Sequence, residues 1–462
     1  MKKPNYKSIK RVINHLEFNT ILKRVRFFLK TSDYDQIIEM LLTLHPVVIS
    51  KILEKINFED ALVIFQKLPV EFSSKILTEL DQEIIDQIIE KLSSDKIIEL
   101  SHHLDPDDYT DILQILQPDR QSKVLKLLEQ DESEEFKKLL SYPDKSAGSI
   151  MSPDFYSLPS DISISQAIPL IRNNESEVSF KSYIYVVNDQ QQLQGRINIE
   201  DLLFKDPHII INQFMDKNII SVTPFEDQEK IANLASDYDL LAVPVTDHHH
   251  RIIGIITIDD LVDVVEEEAN EDIMHLGRSA ADLSLFSSPF KSARKRIPWL
   301  LLNLTAALIS VTVVAYFEGT IAKIASVVMF MPIIAGMGGN TGTQVLALIV
   351  RSIATGEVSS DETWNVLSKQ LITGIIIALF MGSIACGLSL VIRKNMVLGI
   401  IVGVSMLLNL LIASIIGVLI PFTLKKLNFD PAIASSIFLT TTTDFFGFLT
   451  YLGLCTIFIQ YI

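Results

Sequence analysis

The sequence predicts a multidomain chain: an α-helical repeat domain, a duplicated α/β unit, a long acidic connecting helix and an all-α domain of five membrane spans. Three observations carry that prediction. Charge and hydropathy are segregated, since mean hydropathy is +0.32 while 21% of the 462 residues are charged. Residues from Lys291 onward hold 11 Lys+Arg against 6 Asp+Glu, in a chain of 40 against 56, so the first part is strongly acidic and the second apolar and mildly basic. Helix punctuation recurs about every twelve residues early in the chain, and a strand–turn–strand–helix pattern later appears twice, 59 residues apart. Acidity argues against nucleic acid as a partner and for cations or counter-charged surfaces.

Residues 1–31 form a basic leader. Ile21, Leu22, Val25, Phe28 and Leu29 recur among Lys23, Arg24, Arg26 and Lys30, the pattern of an amphipathic helix that suits a membrane surface, an acidic neighbour or plain solvent equally well. The leader lacks the apolar stretch of a signal peptide, so the acidic part is expected to stay in the cytoplasm. Residues 32–143 read as short helices separated at His45-Pro46, Leu68-Pro69, Leu80-Asp81, Leu104-Asp105-Pro106 and Gln117-Pro118. Proline in a first turn or an Asp or Ser cap starts such helices. None buries its apolar face alone, so they must stack in a solenoid-like layer. Asp105, Asp107, Asp108 and Asp111 crowd one helix start, and capping is expected of Asp105.

Residues 144–262 hold the duplication. Tyr183–Val187 and a second run ending at Val245 are each followed by an Asx turn, a glycine-containing strand and an acidic helix start; Gly195 and Gly254, like Asp201 and Asp260, are in register. This resembles a tandem pair of CBS domains, a ligand-sensing module that often takes adenine nucleotides, so ATP enters as a regulatory ligand. His248, His249 and His250 fall at a hairpin tip; three adjacent histidines cannot converge on one metal, and a solvated turn is expected. Residues 263–291 continue as an acidic connecting helix. Asp260, Asp263, Glu267 and Glu271 share one face, thickened by Glu266, Glu268 and Asp272. Like charges one turn apart repel, so such a face is either solvated or set against a cation.

Residues 292–462 contain apolar segments at about 297–317, 321–350, 365–392, 396–424 and 431–461, each long enough for a bilayer. Basic residues at 291–296, Arg351, Lys425 and Lys426 fall on one side with the N-terminus inside; Arg393 and Lys394 depart from that rule, and five crossings put the C-terminus outside. Cys386 and Cys455 lie within spans and read as packing residues. The second span holds Pro332, Gly336, Gly338, Gly339, Asn340, Gly342 and Gln344. Glycines permit close helix contact, Gly338 and Gly342 have GxxxG spacing, and irregular backbone at this depth requires burial or a water-filled cavity. In the fifth span four threonines run into Asp444, with Gly447 three residues on. A carboxylate at that depth costs roughly 2.5–3.5 kcal/mol on insertion scales, which points to an ion or proton pathway; the structural alternative is a carboxylate hydrogen-bonded inside the bundle.

The PxxxGxGGNxGxQ run of the second span and the lone Asp444 in a Thr-rich fifth span resemble the signature of the MgtE magnesium channels. The order of domains matches from about residue 33 onward. The resemblance implies a homodimer in the cell membrane with a pore lined by the second and fifth spans, through Pro332, Gly336, Gly338, Gly339, Thr443 and Gly447. It implies a pore ion held at Asp444, Asp430 and Asn340, with helix capping as the alternative role of Asp430. It also implies regulatory Mg²⁺ on Asp107, Asp111, Asp227, Asp237, Asp260, Asp263, Glu268, Glu271 and Asp272, and a connecting helix that plugs the pore when cytosolic Mg²⁺ is high. Lys75 stands where the family pattern leads one to expect an acidic residue, which puts one ligand in doubt. The function implied is passive, Mg²⁺-gated Mg²⁺ uptake. A membrane-anchored adenine-nucleotide sensor and an ion-coupled transporter of Co²⁺ or Mn²⁺ are the competing readings. No Walker-type loop or nucleophile–base constellation supports an enzyme.

Overall fold

The computed structural model describes residues 15–173, 182–277, 289–355, 357–358, 362–427 and 429–462. Leader residues 1–14 and connecting residues 278–288 lie outside that set. The chain divides into two compact units, Met1–Val265 and Glu266–Ile462.

The first unit begins with ten helices: α1 (His15–Lys30), α2 (Tyr34–Leu41), α3 (Pro46–Leu53), α4 (Phe58–Lys67), α5 (Val70–Leu77), α6 (Gln82–Lys91), α7 (Ser94–Ser101), α8 (Pro106–Ile115), α9 (Pro118–Leu127) and α10 (Gln130–Leu139). Their starts follow the punctuation. Pro46, Pro106 and Pro118 occupy first-turn positions, and Asp33, Asp81 and Ser93 accept from backbone N–H groups of α2, α6 and α7. Asp105 takes the N-cap position of α8 without making the capping bond. Alternate helices pack on one another, α3 on α5, α5 on α7 and α7 on α9, with α6 on α8 and α8 on α10, giving two interleaved layers. The Arg120 guanidinium ties them by donating to the backbone carbonyls of Ile89, Glu90 and Leu92. Leu22 and Val25 of α1 are buried in the same core, so the amphipathic face of the leader helix is occupied by protein.

The duplicated part follows as β1 (Ser157–Pro159), α11 (Ile164–Asn173), β2 (Tyr183–Val187), β3 (Leu193–Asn198) and α12 (Asp201–Phe204), then α13 (Gln228–Asp237), β4 (Ala242–Thr246), β5 (Ile252–Thr257) and α14 (Ile258–Leu276). β2 pairs parallel to β1 and antiparallel to β3, and β4 pairs antiparallel to β5. At the hairpin tips Asn188 and Asp247 each accept from two backbone N–H groups, and Gln191 and His250 adopt positive φ. The copies exchange edges: Ser152 pairs with Ile255, and Asp216 with Arg196. Met151 therefore lies against Gly254 and Met215 against Gly195, where a Cβ would meet the methionine sulfur. The helical core runs on into the second copy through Val243, Val245 and Ile256, while the first copy keeps a core of its own around Ile164, Ile184 and Val186.

The second unit contains α15 (Pro289–Tyr316), α16 (Glu318–Lys323), α17 (Met331–Ala354), α18 (Thr363–Arg393), α19 (Met396–Lys426) and α20 (Pro431–Ile457). Among the described residues, five of its helical segments are long and apolar enough to cross a membrane. α19 is the central helix, packed against α17, α18 and α20. It meets α18 through small residues: a Cβ on Gly382 would lie 2.9 Å from the Gly403 carbonyl. Both cysteines are free, Cys455 buried and Cys386 half-buried. The glycine run does not interrupt its span, because Pro332 sits in the first turn of α17 and the helix continues to Ala354. Proline there removes only an N–H that has no intrahelical partner.

Candidate functional site: an open helix stripe and two carboxylate clusters

The expected pore residues separate into two faces of α17. Pro332, Gly336, Asn340 and Thr343, spaced i, i+4, i+8 and i+11, are exposed. A Cβ added at Gly336 or Gly339 would meet none of the described residues within 4 Å. Gly338 and Gly342 are buried on the other side. Gly338 abuts the Asn409 amide, and a Cβ at Gly342 would come 2.6 Å from Leu439 Cδ1.

α20 packs against α17 and presents Asp444 half-buried, with Gly447 buried beside Asn409; a Cβ there would lie 2.8 Å from Asn409 Nδ2. Asn409 thus stands between Gly338 and Gly447 and brings those two together. It is fully buried, its amide donates to the Ile334 carbonyl at 2.9 Å, and its Oδ1 has no hydrogen-bond partner among the described residues. The four threonines all donate their hydroxyl protons to carbonyls of their own helix, at 2.8 to 3.0 Å. Thr443 is fully buried, inside the subunit and off the open stripe.

Of the expected sensor carboxylates, Asp107 and Asp260 meet in the first unit. Thr257 caps α14 through Asp260, its N–H donating at 3.3 Å and its hydroxyl at 2.6 Å. Asp107 is buried, and its Oδ1 has no hydrogen-bond partner among the described residues. Burial, then the charges of Asp260 and Asp108, push the Asp107 carboxyl well above the usual range. Asp108 is raised to about 7 by burial and by Asp260, and Asp260 to about 6 by burial foremost. Carboxyls raised in this way hold protons more tightly folded than unfolded. Their contribution to stability is complete below about pH 4 and is lost as pH rises through 6 to 7 unless a cation takes the protons' place. Asp108 was expected only as part of a crowded helix start. Asp111 and Asp263 are exposed, and the charge of Asp111 adds to the upward push on Asp108. Asp227 and Asp237 are exposed at opposite ends of α13, and Asp227 accepts from the Glu229 N–H at 3.0 Å as a helix cap.

In the second unit the end of α14 meets the start of α20. Glu271, His275 and Asp430 offer ligand atoms all within 4.8 Å of one another, the one such group among the described residues. Asp272 is raised to about 6 by burial and by Asp430 and Glu268. Glu268 is half-buried on the same helix. The three adjacent histidines are exposed, and none joins such a group. Neither Asn409 nor His275 was picked out from sequence. Asn409 carries the signal that marked Asp444, a lone polar residue in an apolar span, whereas His275 carries none.

Residues 331–454 match the family MgtE, divalent cation transporter; residues 44–145 match the MgtE intracellular N domain, and residues 147–207 and 211–267 match CBS domains. The chain is similar to the magnesium transporter MgtE of Bacillus subtilis, 33% identical over 69% of this chain and 71% of that one. It is also similar to that of Thermus thermophilus, 29% identical over 69% and 71%. A solved structure of the cytosolic domain of the Mg²⁺ channel MgtE in complex with ATP aligns with TM-score 0.50 and 26% identity, over 53% of this chain and 99% of the other. Helical N domain, CBS pair and multi-span segment stand in one order and account for most of the sequence, and the chain belongs to the MgtE family of divalent cation transporters.

Proposed function

We propose that the chain is a Mg²⁺-selective channel that admits Mg²⁺ to the cytoplasm down its electrochemical gradient and is closed by cytosolic Mg²⁺. The observation that carries the reading is the open stripe of α17, Pro332, Gly336, Gly339 and Asn340, on a helix packed against the span that holds Asp444. A stripe of small and uncharged residues with no lining of its own suits a two-fold axis, where a second copy closes the path and two Asp444 carboxylates face one dication. Mg²⁺ sheds water reluctantly and prefers octahedral oxygen. The waters of a hydrated ion turn their hydrogens outward, so the wall must accept. Thr440, Thr441 and Thr442, with their protons committed to the helix, offer oxygen lone pairs. An inside-negative potential contributes about 2.3 kcal/mol per charge per 100 mV, doubled for a dication. The soluble unit lies in the cytoplasm and the C-terminus outside in this reading.

Closure follows from the acidic helix. Two charges about 4 Å apart repel by roughly 4 kcal/mol at an effective dielectric of 20, so Asp107, Asp108 and Asp260 drive their elements apart until a cation bridges them. Asp111, Asp227, Asp237, Asp263 and Glu268 extend the acidic surface, and Glu271 and Asp272 do the same at the mouth beside Asp430. Adenine nucleotide on the CBS pair is a regulatory ligand in this scheme, in line with the ATP complex of the relative.

Mg²⁺ flux in proteoliposomes tests the reading. Asp444→Ala is expected to reduce flux to background while the protein still inserts and folds; wild-type flux in that variant would overturn the pore assignment. Neutralising Glu268, Glu271 and Asp272 together is expected to leave flux running at high cytosolic-side Mg²⁺, and unchanged inhibition would overturn the gating half. Parallel runs with Mn²⁺ and Co²⁺, with and without a proton or sodium gradient, separate a channel from an ion-coupled transporter.

A further inference from the structure

We propose that Asn409 is a positioning residue for transport: its amide, wedged between α17 and α20, sets the angle at which the open stripe of one and Asp444 of the other face the ion. The inference rests on the reading of Asp444 as the residue that holds the ion. It deepens that reading by naming a residue on a third helix, α19, that controls selectivity without touching the ion.

Three helices meet at this one side chain. Asn409 belongs to α19 and is fully buried. Its Nδ2, Cγ and Oδ1 all lie within 3.2 Å of where a Cβ would stand on Gly338 of α17, and the same three atoms lie within 3.2 Å of that point on Gly447 of α20. The amide therefore fills a slot walled by glycine backbone on both sides. Nδ2 also donates to the carbonyl of Ile334 at 2.9 Å, one turn from Gly338, which fastens the amide to α17. Oδ1 meets no hydrogen-bond donor among the described residues. A buried acceptor in that state is costly, and a leucine of similar size would fill a packing gap without one. What leucine lacks is a flat end that passes between two backbones while one of its atoms holds a carbonyl.

The contact fixes rotation as well as distance. At about 100° per residue, Gly336 and Asn340, two positions either side of Gly338, face almost directly away from Asn409, and Asp444, three before Gly447, points about 60° from it. Gly336 and Asn340 are exposed and Asp444 is half-buried, as those angles require. A turn of about 20° moves a side-chain tip roughly 2 Å at the outer radius of a helix. That equals the length of a Mg²⁺–oxygen bond, about 2 Å. Mg²⁺ demands near-ideal octahedral geometry, whereas Ca²⁺ takes more oxygens in flexible arrangements. Loss of the wedge thus weakens Mg²⁺ first and erodes discrimination against Ca²⁺.

The test uses the full chain in proteoliposomes with two variants: Asn409→Leu, of like size without the flat amide, and Asn409→Gln, which carries the amide one methylene further. Initial flux per folded protein is measured against Mg²⁺ and Ca²⁺ concentration, and each variant is melted in detergent. The half-saturating Mg²⁺ concentration is expected to rise roughly tenfold or more, the scale on which outer-shell partners act on a held cation. The Mg²⁺-to-Ca²⁺ flux ratio should fall with it, a readout that lost packing alone would not move. Either variant suffices if the other does not insert. Wild-type half-saturation and ratio, with only the melting temperature lowered, would make Asn409 a packing residue and overturn the proposal. Asp444→Ala in the same assay separates the two readings. Flux lost there, with half-saturation and ratio unmoved in the Asn409 variants, overturns the positioning role alone. Wild-type flux in Asp444→Ala overturns the path reading and the proposal with it.

Discussion

Two faces of one helix use glycine for opposite reasons. On the inner face of α17, Gly338 and Gly342 are small because Asn409 and Leu439 occupy the space where their side chains would be. On the outer face Gly336 and Gly339 have no neighbour to accommodate among the described residues. Inner glycines are a packing requirement, and each brings a neighbouring helix close. Outer glycines in an apolar span weaken a helix by up to about 1 kcal/mol each relative to alanine, so their use is set by whatever passes or docks on that side. The glycine-rich run of α17 is therefore two motifs interleaved at helical period, one packed against neighbouring helices and one open.

Substitutions can break that comparison, and the largest effect is expected at Gly338. A methyl group there overlaps the Asn409 amide, which is held by its bond to Ile334 and cannot swing aside. Gly338→Ala should destabilise by about 1–3 kcal/mol, read as a lowered melting temperature in detergent, and the added change Asn409→Ala should recover part of the loss. Wild-type melting of Gly338→Ala would remove the distinction between the faces. Gly342→Ala sharpens it, because the obstacle is the tip of the Leu439 side chain and can rotate away. A loss of about 1 kcal/mol, below that at Gly338, is expected from the same melts. Smallest for the fold are Gly336→Ala and Gly339→Ala, whose melting should stay level or rise by up to about 1 kcal/mol each. Altered Mg²⁺ flux with unaltered melting would mark the outer face as the transport face.

Much of this architecture was legible in local chemistry. Proline and Asp or Ser at helix starts marked the repeat, since each satisfies or removes an orphan N–H. The 59-residue register between Gly195 and Gly254 marked the duplication, and five long apolar runs marked the spans. What stayed hidden depends on distance in space. Nothing in the local run around Gly338 tells an inward glycine from an outward one until Asn409, 71 residues on, is seen against it. Asp108 looked like one more helix-start carboxylate until the cap of α14 arrived beside it. Thr443 shared a run with three other threonines, yet helical rotation buries it. His275 sits in an acidic helix where a single histidine carries no periodic signal, and only the fold brings Asp430 to it.

The exchanged edges of the duplicated pair bear on how the chain is made. Ser152 completes the sheet of the second copy, and Asp216 completes that of the first. Emerging in order, the first copy holds an unpaired strand edge until residue 216 has been synthesised, and Met151 finds its seat at Gly254 about a hundred residues after it leaves the ribosome. Neither copy completes its own sheet. Loss of the last strand would release the first copy's leading segment as well, and because the helical core runs into that second copy, the disturbance would reach α10 and beyond. The two repeats are alike in sequence pattern, yet each takes one sheet edge from the other.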